Sequence, residues 1–127
     1  MQFTDGSDNV LTAANYSYAG RMHIGHGSSG QDISGESTGG FRLTQTASHL
    51  NSSNEANEFH LLFGDVSDSG EKPRMTLSGS IGIDGGEYGN VNGGGTYVSQ
   101  TAIQGLYFYP TGGYFRNYNV RAWGYTA

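Results

Sequence analysis

The chain has 127 residues, 22 of them Gly, with no Cys, six Lys plus Arg against eleven Asp plus Glu, and a formal net charge of −5. Nine Tyr, six Phe and one Trp at so small a net charge exclude a disordered chain, and the length suits one hydrophobic core spanning residues 1–127. The absence of Cys removes disulfides and thiolate metal sites, and the scattered cations offer no stripe for phosphates, so no nucleic-acid partner is expected.

Only 13% of residues are charged, where about 25% is usual. The surface must then be built from Ser, Thr, Asn, Gln and Gly, a neutral polar covering that suits packing against copies of the same chain. No apolar run approaches the roughly 18 residues of a membrane helix, and Met1 to Val10 is polar without a signal-peptide core. A protein made in the cytoplasm, with no membrane insertion, is the expectation.

Along the chain the recurring apolar period is two, not 3.6. Gln2 to Thr4, Tyr16 to Ile24, Phe41 to Thr46 and Glu58 to Phe63 read as strands, each bounded by Gly, Asn, Asp, Ser or Pro. In Arg74 to Ile83 the residues Met75, Leu77, Gly79, Ile81 and Ile83 alternate with Thr76, Ser78, Ser80 and Gly82, the clearest half-buried strand. Thr96 to Gln100, Ile103 to Tyr109 and Asn119 to Tyr125 complete about eight strands.

Leu106 and Phe108 alternate with Tyr107 and Tyr109, so both faces of that strand can be covered. Pro110 to Asn117 reads as the long tip of a hairpin-like pair formed by the last two strands. Gly25 to Gly40, Asn51 to Asn57 and Asp84 to Gly95 read as longer loops, with Asn92 to Gly95 a tight turn that uses repeated positive φ. Without crossover helices or a fixed repeat, parallel βαβ folds, propellers and solenoids are disfavoured. The expected fold is all-β, an antiparallel two-sheet sandwich, jelly-roll-like.

The run Thr101 to Tyr125, TAIQGLYFYPTGGYFRNYNVRAWGY, follows the Gly-rich NGGGTYVSQ. With Ile103, Gly105, Leu106 and Phe108, then Thr111 to Tyr114, then Trp123 and Gly124, it resembles the C-terminal module of phage and marine-virus structural proteins of the tail-fibre or virion-surface kind. Phe3 to Ser7 followed by Tyr16 to Ala19 resembles an early motif of the same group, with Ser7 where the pattern has Gly. The loop after Gly25 is this chain's own. The resemblance implies a virion structural protein, a capsid decoration or fibre module exposed on the particle, assembled with other virion proteins and with itself, a trimer being favoured.

Several polar groups are candidate sites. Asp5, Ser7, Asp8 and Asn9 open like a calcium loop, but no acid lies at positions 13 to 20 to complete it, so an Asx turn is the favoured reading. Asp65 and Asp68 near Glu71 read the same way. His23, His26, His49 and His60 could form a metal site only if the sheets brought them together, and His23 reads as lining a strand face. Glu36, Glu55, Glu58, Glu71 and Glu87 fall in or near polar segments where solvated charge is the default, with no nucleophile elbow, acid pair or phosphate loop. No enzymatic activity, cofactor or metal is expected.

The aromatic set Tyr107, Tyr109, Tyr114, Phe115, Tyr118, Trp123 and Tyr125 is the main constellation. About half of it should fill the core. Tyr107, Tyr109, Tyr114, Phe115, Tyr118 and Trp123 are the candidate contact residues, with Tyr114, Phe115 and Tyr118 on the loop tip most exposed. They would serve either a subunit interface or, as the alternative, a host-attachment module whose loops Gly25 to Gly40 and Thr111 to Asn117 bind surface glycans.

Overall fold

A computed structural model of the chain describes residues 1–25, 30–44, 57–66, 70–83, 87–110 and 118–124. These segments form seven strands, with no helix among the described residues: β1 (Gln2–Thr4), β2 (Tyr16–Ile24), β3 (Gln31–Thr38), β4 (Glu58–Gly64), β5 (Arg74–Ile83), β6 (Glu87–Tyr97) and β7 (Gly105–Tyr107). Every pairing is antiparallel. Five strands form one sheet in the order β3-β2-β6-β5-β4, and β1 pairs with β7 in a second, two-stranded sheet.

One face of the larger sheet is apolar. Its cross-strand rows run Gly35–Tyr18–Gly95–Met75–Phe63, then Ile33–Gly20–Gly93–Leu77–Leu61, then Gln31–Met22–Val91–Gly79–Phe59. Tyr16, Met22, Ile81 and Val91 on this face are fully buried. Phe3 of β1 is buried too, and its ring centroid lies 5.9 Å from Tyr16, 5.5 Å from Phe41, 5.9 Å from Phe63 and 6.0 Å from Tyr97. This aromatic cluster holds the small sheet against the large one, since offset and edge-on rings add attraction to the area they bury.

Hydrogen bonds reinforce the same junction. The Tyr16 hydroxyl accepts from the Phe3 N–H at 2.9 Å and donates to the Leu11 carbonyl at 2.8 Å, while the Leu11 N–H donates to the Phe3 carbonyl. Burial pushes the Tyr16 phenol up to about 12. The Met1 ammonium donates to the Phe41 carbonyl at 2.8 Å, and burial lowers its pKa to about 6.

Strands β1, β2 and β5 have the expected bounds, and β4 runs one residue further, to Gly64. Other expectations are corrected, and the expected strand Ile103 to Tyr109 is confined to Gly105–Tyr107. Gln31–Thr38 and residues 87–95, read as loops, are strand, and Asn92 to Gly95 lies within the central strand β6 (Glu87–Tyr97) instead of a turn. Thr96 and Tyr97 end β6, with no strand over 98–100. Residues 41–44 and 119–124 are not strands, the rest of those two expected elements lying outside the described residues. The expected C-terminal hairpin is replaced by pairing of β7 with β1, Phe3 opposite Leu106.

The glycines of β6 are strand residues because rings and backbone crowd them. A Cβ at Gly95 would lie 2.6 Å from the Phe41 ring and 2.7 Å from Tyr18 Cβ. Across the sheet, the Tyr18 ring lies over its partner Gly35, 2.7 Å from where a Cβ would sit, an aromatic covering an edge-strand glycine.

Candidate functional site

The candidate contact residues divide among three places. Tyr107 lies on the side of β7 away from Leu106, which stands opposite Phe3, and Tyr109 follows past the end of the strand with its hydroxyl near Gly40, while Phe108 packs against the core. The Tyr107 and Tyr109 rings stack at 5.6 Å and 24°, and both are partly open to solvent. Tyr118 and Trp123 belong to the extended segment 118–124, every residue of which is exposed; Trp123 is 81% and Val120 68% accessible. Tyr114 and Phe115, with most of the expected tip, lie outside the described residues.

Nine large apolar side chains are exposed among the described residues, and six of them (Leu106, Tyr107, Tyr109, Tyr118, Val120 and Trp123) fall between positions 106 and 123. Exposed apolar side chains are thus concentrated in sequence toward the C-terminal end of the described chain, whereas single exposures scattered along it would be ordinary.

The polar candidates take plain structural roles. Asp5 Oδ1 accepts from the backbone N–H groups of Ser7 at 2.9 Å and Asn9 at 3.0 Å, the geometry of an Asx turn, and these bonds hold its carboxyl below the usual range. Asp65 accepts from Arg74 Nε at 2.8 Å. His23 and His60 share the outer face of the large sheet but stand three strands apart, on β2 and β4, too far to hold one ion. His26 and His49 lie outside the described residues.

That outer face is where reading the sequence missed most. Its rows run His23–Asn90–Ser80–Glu58, then Asp32–Arg21–Asn92–Ser78–His60, then Ser34–Ala19–Gly94–Thr76–Leu62. All of these residues except Gly94 are exposed. Arg21 Nε reaches Asp32 Oδ1 at 3.9 Å, and His60 Nε2 lies 3.2 Å from Glu58 Oε1. The alternation in β2, β4 and β5 was the available signal for this face; β6, carrying its central column, was hidden by its glycines.

Concavities among the described residues are small or open. A void of about 10 Å³ beside Gly20 and Gly93 is no larger than a water. An open depression of about 370 Å³ is lined by Glu71, Lys72, Arg74, Thr96 and Gln100. Neither gathers the residues of a reaction centre. No known protein family, curated protein or solved structure matches this chain.

Proposed function

We propose that this chain is a non-enzymatic structural module of a phage or virus particle, a jelly-roll-like sandwich on the particle surface that works by self-association and contact with other virion proteins. The single observation that carries the contact role is the concentration in sequence of exposed apolar side chains between Leu106 and Trp123. Trp and Tyr bring large, rigid, amphipathic area at small entropic cost, and they are the residues most enriched where subunits meet. The low charge of the chain removes much of the repulsion that would keep copies apart. Two antiparallel sheets joined by buried rings support the sandwich reading, and the motifs at the two ends of the chain support the virion setting and a trimer.

Size-exclusion chromatography with light scattering tests it. The chain should elute as an oligomer, a trimer by preference, and Trp123→Ala together with Tyr107→Ala should shift it toward monomer with an unchanged β-type circular dichroism spectrum. A strictly monomeric chain at high concentration that retains no virion protein would overturn the proposal.

A further inference from the structure

We infer that the outer face of the five-stranded sheet, centred on Tyr88, Asn90 and Asn92 of β6 with His23 and Arg21 of β2, binds a neutral oligosaccharide. The first reason is a broken local rule. Asn is disfavoured in strands, yet two successive outward positions of the central strand are Asn. The core-facing glycines of β6 have a packing reason in the rings and backbone they meet, whereas Asn90 and Asn92 are exposed and touch no core. Residues that break the local preference of their element without a packing reason mark functional positions.

The second reason is unspent hydrogen-bonding capacity. Among the described residues, the side chains of Asn90, Asn92, Ser78 and Ser80 make no hydrogen bond, so each amide offers two donors and an acceptor to the solvent side. Successive outward residues stand about 6.8 Å apart along a strand and about 4.8 Å apart across strands. The surface is therefore a regular grid of short donors and acceptors. Arg21 and His23 extend it at one side, where both Arg21 Nε and His23 Nδ1 lie against Gly30.

The third reason is an open ring. Tyr88 is 70% accessible, two residues before Asn90 on the same face. Its β5 partner is Gly82, and on the β2 side its carbonyl accepts from the N–H of Gly25. Both flanking positions lack a side chain, so neither screens the ring.

A flat aromatic plate beside mixed donors and acceptors matches a sugar, which has a C–H face to stack and a rim of hydroxyls that both donate and accept. Charge selects the class within it. Arg21 is paired with Asp32, and Glu58 stands beside His60, leaving no excess of cations to recruit an acidic glycan.

The intact chain should bind an array of neutral oligosaccharides of three to six units, and titration calorimetry with the best-retained one should show saturable binding. Tyr88→Ala and Asn92→Thr should each weaken it tenfold or more, while Ser7→Ala, in the exposed turn after β1 and outside this face, leaves it unchanged. Asn92→Thr should at the same time keep or raise the melting temperature, because Thr suits a strand better. Failure of every neutral oligosaccharide to bind, retention of acidic glycans alone, wild-type affinity in Asn92→Thr, or a lowered melting temperature in that variant would each overturn the inference.

Discussion

The Tyr16 hydroxyl is the most constrained single group at the junction of the two sheets. It satisfies one donor on β1 and one acceptor in the segment that follows, from a fully buried ring. Tyr16→Phe keeps the ring and strands both partners, a loss of about 1–3 kcal/mol, read as a lower denaturation midpoint with an unchanged slope. The Met1 amine gives a pH signature. Its folded pKa of about 6 lies below the 8.0 of the free group because burial disfavours the cation. Between those values the unfolded chain holds the proton and the folded chain does not, so stability is fully present above pH 8 and is lost as pH falls through about 6. Denaturation midpoints of the chain beginning at Met1 should rise across this window, and Nα-acetylation should flatten the rise.

Among the elements, β6 depends on residues that ordinarily weaken a strand. With partners on both sides, its backbone is paired along its length, and the missing side chains become room for Phe41 and Tyr18. Gly95→Ala should cost about 1–3 kcal/mol because a methyl there meets a ring and a carbonyl that cannot both withdraw. Gly64→Ala, at the exposed end of β4 with nothing within 4 Å of the added carbon, should change stability by no more than about 0.5 kcal/mol. Thermal melts of the two variants side by side separate a packing requirement from a generic effect of glycine. Pro73 shows a related economy at the entry to β5, where a residue with no N–H to pair lends its carbonyl to Thr96 Oγ1 and the Tyr97 N–H.

Over the whole molecule, the two sheets meet through one aromatic cluster with Phe3 at its centre. Truncating Phe3→Ala should cost about 3–5 kcal/mol. Hydrogen exchange should show the loss first in β1 and β7, whose pairing to each other is short and whose hold on the large sheet runs through that ring. The apolar surface at Leu106 to Trp123 and the polar grid of the outer sheet face are separate in sequence and in chemistry, so self-association and saccharide binding can be removed one at a time.

The all-β class was legible from alternation alone, and β2 and β5 were readable to the residue because each carries a large apolar side chain at nearly every second position. The period of two also set Tyr107 on the face of its strand opposite Leu106, but not which of the two faces would be open to solvent. Strands β3 and β6 were not legible. Ile33 is the only large apolar residue of β3, and β6 replaces core side chains with Gly93 and Gly95, so both carry loop composition. Their strand state comes from neighbours distant in sequence: Tyr18 lying over Gly35, Phe41 over Gly95, and ladders on both sides of β6. For the same reason β7 turned from the expected C-terminal partner to β1 at the other end of the chain. Alternation and turn chemistry are local and set which residues can face a core; which strand pairs with which, and therefore which side chains gather on one face, is decided by contacts that exist only once the chain has folded.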